Sequence, residues 1–403
     1  MSRALVSYFT MGFPVTSETA VVREMYALAE DGLDVQVFAT RPPHFEGIFE
    51  PKALRFREVA RGPGPLNVAR GAALISTRLA KRDPGMLEIL AAVKRAGHMR
   101  HKAAAMVVVA AAAAVEMKEA GVEYIHANFA SLPAFGAWVV HKLMGIPFGF
   151  TMHAHDLFIH GFLMEEKIRD AALVVSISAY NLFYIRERWG ITRADIPIIH
   201  CGVDVQEFKR GPHHRGKTLR LMSIGRLTEM KGFPYLIDAM GLLRDQDVKL
   251  TIVGKGEDAD LLLKQVVDLD LTEQVSIRSG VKQEELRQLL QDSDVYVQPS
   301  IRCADGMMEG VPATLMEAMA MELPCISTRL SGIPELVHHE HTGLLVDPGD
   351  CTQLAGAIRW MGAHPAEAEE MGKAGRRVVE EEFDADKNAR QLGRLMREVL
   401  NHG

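Results

Sequence analysis

The feature that most constrains this chain is an alternation that occurs twice: short apolar runs rich in Val, Ile and Leu, each followed by a loop and then a stretch with helical spacing. Strands separated by helices pair in parallel and are buried on both faces, which gives them a continuous rather than alternating apolar pattern. The first series comprises Ala4–Phe9, Val35–Ala39, Tyr124–Ala127 with a helix over 133–144, Pro147–Met152 with one over 163–169, and Leu173–Ser176 with one over 179–188. Its first helix has Ser17 as a cap, Val21, Val22, Met25, Leu28 and Ala29 on one face, and Gly32 just past its end. The second series is Leu219–Ile224, Val248–Val253, Val275–Arg278, Val295–Gln298, Cys325–Thr328 and Leu344–Val346. Between the two lies Phe208–Lys217, polar and broken by Gly211, Pro212 and Gly216, which reads as an interdomain linker. The reading is therefore α/β, with two Rossmann-like doubly wound domains over 1–205 and 206–383. A last amphipathic helix over 384–403 carries Leu392, Leu395, Met396 and Leu400 on one face.

Hydrophobic residues at 48% and charged residues at 24% fit a folded, water-soluble protein, and a net charge of −6 creates no general attraction to nucleic acid. The charge is unevenly spread. Residues 52–105 hold twelve Lys and Arg against Glu58, Asp83 and Glu88, a local balance of +9. Apolar residues punctuate these cations, among them Leu66, Leu74, Leu79, Met86, Leu87 and Leu90, a pattern that suits helices lying on an anionic membrane surface. Ordinary amphipathic helices with a solvated basic face give the same pattern. The longest apolar run, Ala103–Val115, has 13 residues where about 20 are needed to cross a bilayer, so it reads as a buried helix. Cys201, Cys303, Cys325 and Cys351 form no C-x-x-C, and no basic segment precedes an apolar one at the start, so a reducing cytoplasm is expected.

The chemistry concentrates between Ser300 and Pro324, where Gly310-Val311-Pro312 feeds a helix starting near Ala313. Free N–H groups at a helix start bind phosphate, and the helix dipole favours the negative charge. Glu309 just outside that start and Glu317 one turn inside it offer acceptors to ligand hydroxyls on either side of a diphosphate, which is the shape of a nucleotide sugar. A second cluster, Gly225-Arg226-Leu227-Thr228-Glu229-Met230-Lys231-Gly232, follows the first strand of the second series. Its two cations sit at the carboxyl end of the sheet, where such folds bind ligands, on a loop expected at the surface. Gly254 opens a further glycine loop after the next strand.

In combination, GRLTEMKG, VGKGED, EGVPATLMEAMA with its E-x7-E spacing, and SGIPELV followed by TGLLV resemble the family-four retaining glycosyltransferases of GT-B fold, over nearly the whole chain. The resemblance implies two domains facing a central cleft, with the final helix packing back on the first. It implies that Glu309 contacts the donor sugar, Glu317 the ribose, and Arg226 and Lys231 the diphosphate. Main-chain contacts to sugar and phosphate are implied for Gly310, Val311, Pro312, Ala313, Thr314 and Leu315, with Gly254 also on the donor side. In the first domain, Thr151-Met152-His153-Ala154-His155-Asp156 is similar to the family's HGYD-type segment, which places His153 near the reacting sugar and Asp156 behind it. Gly12 and Asn128 fall on the acceptor side. Gly12-Phe13-Pro14 replaces the two-glycine loop of starch and sucrose synthases and, with Ser17-Glu18-Thr19, resembles the exopolysaccharide branch.

The implied activity is transfer of a sugar from a nucleotide diphosphate sugar, uridine being the family's commonest base, to a hydroxyl of a glycan or lipid-linked acceptor with retention of configuration. No cofactor or metal is expected: His338-His339-Glu340-His341 and His213-His214 read as solvated loop histidines. Two other readings fit the same residues, a nucleotide-sugar 2-epimerase and a non-catalytic sugar-nucleotide or glycan-binding protein.

Overall fold

The computed structural model describes residues 4–15, 19–45, 51–281 and 283–402. Ser17, expected as a helix cap, lies outside the described residues. The chain divides into two compact units, Met1–His200 with Ala385–Gly403, and Cys201–Asp384.

In the first unit a parallel sheet is built from β1 (Leu5–Thr10), β2 (Asp34–Ala39), β3 (Ala60–Arg61), β4 (Tyr124–Asn128), β5 (Phe148–Met152) and β6 (Leu173–Ser176). Its order is β3-β2-β1-β4-β5-β6. The second unit repeats the pattern with β7 (Leu219–Ile224), β8 (Val248–Val253), β9 (Val275–Arg278), β10 (Val295–Gln298), β11 (Cys325–Thr328) and β12 (Gly343–Val346), in the order β12-β11-β10-β7-β8-β9. Strand order thus reverses between β1 and β4 in one sheet and between β7 and β10 in the other, and the loops at such a reversal form a crevice that binds ligands. Strand positions match the apolar runs to within a residue or so, because parallel strands buried on both faces leave a continuous signal. The two-residue β3 leaves none.

Residues 103–114 fall within a helix, Arg100–Ala120, whose small side chains serve a close crossing. A Cβ on Gly71 of the helix Pro65–Ala80 would come within 2.6 Å of the Ala112 nitrogen. The final helix, Ala385–His402, buries Leu392 and Met396 beside Met25 and Leu28 of the helix Thr19–Glu30, and Arg397 pairs with Asp31 at 2.7 Å. The segment expected to be a polar linker is instead bound to the second unit. Phe208 is buried, Arg210 donates to the Ser293 carbonyl, and Arg215 donates to the carbonyls of Met361 and Gly362. Its charged residues look solvated in the sequence but cap exposed carbonyl ends of the unit.

The basic segment 52–105 divides by face. Met86 and Ile89 are in the core, Leu74, Ile75 and Val93 are half-buried against it, and Leu66, Leu79, Leu87 and Leu90 are exposed, Leu66 at 71%. Arg55, Arg70, Arg78 and Arg95 pair with Glu30, Glu119, Asp83 and Glu166. Three of those carboxylates lie outside the segment and reduce its excess charge.

Candidate active site

The second unit brings the two strongest motifs together. The loop after β7 turns at Gly232, which has φ 67° and a backbone so close to Pro299 that a Cβ would lie 1.9 Å from its carbonyl oxygen. Ile301 donates its N–H to the Met230 carbonyl at 3.0 Å. Locked in this way against the end of β10, the loop directs Lys231 inward, where Nζ stands 2.8 Å from Glu309 Oε1, with side chains 8% and 11% exposed. The expectation of a surface loop therefore fails at Lys231, which is buried, and holds at Arg226, which is exposed. A lysine seven residues past a strand reads as a surface cation; only contact with residues some eighty positions later buries it. The other carboxylate oxygen of Glu309, Oε2, is buried with no hydrogen-bond partner among the described residues. A buried acceptor left open in this way is costly unless a ligand supplies a donor.

Beside this pair the helix Ala313–Ala320 begins at Pro312 with no side-chain cap. Its first turn therefore presents N–H groups and the positive end of the dipole. Thr314 Oγ1 lies 3.4 Å from both the Ile224 carbonyl and Gln298 Oε1. Gln298 is wholly buried at the end of β10, accepts from the Tyr296 hydroxyl at 3.0 Å and donates to Ser300 Oγ at 3.1 Å. This network, which sequence reasoning missed, ties the helix start to the ends of β7 and β10. Gly310 and Pro312 are buried, Val311 and Thr314 half-buried, Ala313 exposed, and Leu315 anchors the helix in the core. Glu317 is half-buried on the same helix. Gly254 has a packing reason, since a Cβ there would lie 1.8 Å from the Gly225 carbonyl oxygen.

The first unit holds a second polar cluster at the carboxyl ends of β4 and β5. His153 Nε2 is 2.6 Å from Asn128 Oδ1, so that nitrogen carries the proton and donates. The His153 N–H donates to the Asp156 carboxylate at 3.1 Å, and the Ala130 N–H donates to the same oxygen. Burial holds the His153 imidazole below its usual pKa, which keeps it neutral. Behind it, His126 Nε2 contacts Thr151 Oγ1 at 3.0 Å and Nδ1 contacts the Tyr124 hydroxyl at 3.3 Å. Burial, with His153 nearby, pushes His126 down to about 3. Gly12 is half-exposed after β1. His126 and Lys167, both fully buried, were missed.

Of the histidine clusters, His339 Nδ1 accepts from the Leu345 N–H at 3.0 Å and His213 Nε2 lies 2.8 Å from Asp294. Among the described residues no three His, Cys, Asp or Glu side chains are grouped to hold a metal ion. A cavity of about 1030 Å³ along β12, walled by Leu344, Trp360 and Met371 and bordered by His339 and His341, contains none of the candidate donor-site or catalytic residues. No helix among the described residues is long and apolar enough to cross a membrane.

Comparison with known proteins agrees with this architecture. Residues 204–378 match the family described as glycosyl transferases group 1, and residues 17–207 match glycosyltransferase family 4. The amylovoran biosynthesis glycosyltransferase AmsK of Erwinia amylovora is 29% identical over 97% of this chain and 98% of its own length. The putative colanic acid biosynthesis glycosyltransferase WcaL of Salmonella typhimurium is 28% identical over 98% of this chain and 100% of its own. Among solved structures, the sucrose-phosphate synthase of Thermosynechococcus elongatus superposes with a TM-score of 0.73 at 21% identity, covering 100% of both chains. Anabaena HepE, in complex with UDP and glucose, gives 0.70 at 16% identity over 98% of this chain and 100% of its own. The chain belongs to the group 1, family-four glycosyltransferases and has the GT-B fold.

Proposed function

We propose that this glycosyltransferase uses a nucleotide diphosphate sugar, with uridine as the base, and transfers the sugar with retention of configuration to a hydroxyl of a lipid-linked or growing surface polysaccharide. The observation that carries the reading is the Lys231–Glu309 pair beside an uncapped helix start, with Glu309 Oε2 buried and open. Glu309 Oε2 accepts a donor-sugar hydroxyl, Glu317 the ribose, and Arg226, Lys231 and the N–H groups of Ala313 and Thr314 take the diphosphate. Gly310, Val311, Pro312, Leu315 and Gly254 shape the backbone around it.

His153, neutral and oriented by Asn128, donates toward the reacting sugar once the donor displaces that contact, and Asp156 fixes the backbone from which it acts. Glu309 is paired with Lys231 through Oε1 and gives its open Oε2 to a sugar hydroxyl, while Asp156 holds two N–H groups through one oxygen. This supports attack from the face that the phosphate leaves, with the leaving phosphate oxygen taking the acceptor's proton, rather than a covalent glycosyl-enzyme. The fixed cations and helix start stabilise that leaving group without a metal. The relatives named for amylovoran and colanic acid synthesis support the polysaccharide setting; the cytoplasm as the place of the reaction is part of the proposal.

Collection of a lipid-linked acceptor is assigned to the helices Pro65–Ala80 and Pro84–Arg95, where exposed Leu66, Leu79, Leu87 and Leu90 stand among cations. A panel of nucleotide sugars, assayed for nucleotide release with and without lipid extract, tests the function. Acceptor-dependent release supports it; donor conversion without acceptor, or binding with no turnover, rejects it.

A further inference from the structure

The turn that follows β4 carries a backbone conformation that its sequence does not favour. Phe129 has φ 103°, a positive value outside the reach of ordinary L-residues, and nothing in Asn128-Phe129-Ala130 supplies a glycine to relieve it. Such a residue persists only where its surroundings over-determine it, and here they do. The Phe129 N–H donates to the Thr151 carbonyl at 3.1 Å and its carbonyl accepts from Ala134 at 3.2 Å. The next residue, Ala130, is gripped at both ends by charged groups. Its N–H donates to the Asp156 carboxylate, and its carbonyl accepts from the Lys167 ammonium.

Lys167 comes from a different element, the helix Met164–Asp170, and is 0% exposed. Its Nζ also lies 4.6 Å from the centre of the Phe162 ring, a favourable place for a cation. Burial lowers its pKa to about 7, with Asp156 and Glu166 opposing the shift. A buried ammonium and a buried carboxylate are expensive groups to spend on one alanine of a loop. What they fix is the preceding dipeptide: Asn128, whose side chain meets His153 Nε2 at 2.6 Å, and Phe129, whose ring centre is 4.6 Å from the His153 ring.

We infer that Lys167 is a positioning residue for the transfer reaction: with Asp156 it clamps the strained Phe129–Ala130 turn and so holds the His153 imidazole in one tautomer and one orientation. The inference rests on the proposed role of His153. Lys167 itself touches no substrate.

The test uses the full chain, labelled with 15N-histidine, in wild-type, Lys167→Met and Lys167→Gln forms. His153 is assigned by its loss in His153→Asn. In the unliganded wild type its ring gives the signature of a single Nε2–H tautomer, and in Lys167→Met that signature shifts toward a mixture. Transfer kcat falls about 10- to 100-fold in Lys167→Met while donor KM stays within about 2-fold, the pattern of a misplaced group rather than a lost contact. Lys167→Gln keeps a shorter donor and gives intermediate values of both. If Lys167→Met does not fold, the glutamine variant decides alone, its His153 shift and lowered kcat supporting the clamp. A folded variant with an unchanged His153 signal overturns the inference, whether or not its kcat falls. If the wild type transfers no sugar, the proposed function fails, while the histidine spectra still decide whether Lys167 sets the ring.

Discussion

Removing the Lys231 ammonium probes the pairing on which the donor site depends. At the 2.8 Å separation of Lys231 and Glu309, an effective dielectric of about 20 gives an attraction of about 6 kcal/mol. Most of this offsets the loss of hydration of two buried ions, so the intact pair adds little net stability. The asymmetry emerges when one partner goes. Lys231→Met strands a buried carboxylate whose second oxygen already lacks a partner among the described residues, at a cost of about 3–5 kcal/mol. For a unit of the size of Cys201–Asp384, each kcal/mol moves the unfolding midpoint by about 2–4 °C, so its transition falls by roughly 6–20 °C.

Scanning calorimetry on wild type, Lys231→Met, Glu309→Gln and the double variant measures this directly. Glu309→Gln in the Lys231→Met background removes the stranded charge and recovers most of the loss, which makes the two substitutions strongly non-additive. A Lys231→Met midpoint within about 2 °C of wild type, or additive effects in the cycle, refutes the claim that the two side chains form a buried pair.

Other expectations are separable from this one. Glu309→Gln lowers kcat while donor KM changes little, whereas Glu317→Ala raises the nucleotide Kd; steady-state kinetics and calorimetric titration distinguish them, and unchanged turnover in Glu309→Gln removes the central assignment. Arg226→Ala, on an exposed side chain, slows transfer by roughly 10²-fold with an unchanged melting temperature. His126 is held neutral by burial, with its pKa near 3 against an ordinary value of about 6.5, so the unfolded chain binds the extra proton and stability drains away as pH falls below about 6.5. Glu24, raised to about 7 by burial, works in the opposite direction, so the comparison is with His126→Gln, whose stability falls less steeply between pH 6.5 and 5; parallel curves contradict a buried neutral imidazole. Vesicle sedimentation tests the lipid-facing helices: binding to anionic but not neutral vesicles is expected, weakened by salt and by Lys81→Glu with Arg82→Glu, and equal partitioning to both vesicle types rejects it. Arg78 is unsuitable for that charge reversal, because it pairs with Asp83 and donates to the Leu143 carbonyl.

The elements that were legible in the sequence share a physical property: their signal is local. Leu173–Val175 and Leu344–Val346 are continuous apolar runs because both faces are covered, and the helix at Ala313 is announced by the proline before it. The Glu309–Glu317 spacing is local in the same sense. What was illegible is the partner each charged residue takes across the fold. Lys167 lies in Met164-Glu165-Glu166-Lys167, where composition suggests a solvated helical turn, yet it is wholly buried because the carbonyl of Ala130, thirty-seven positions earlier, needs a donor. Lys231 is equally opaque, since the same loop leaves Arg226 exposed. The two lysines read as surface cations for one reason and are buried for one reason: each satisfies an acceptor that a turn after a parallel strand brings inside the unit. Turns at the carboxyl ends of parallel strands leave carbonyls and carboxylates short of donors, and cations arriving from distant segments supply them. The residues that hold such a site in shape are therefore the ones whose local sequence gives the least sign of it.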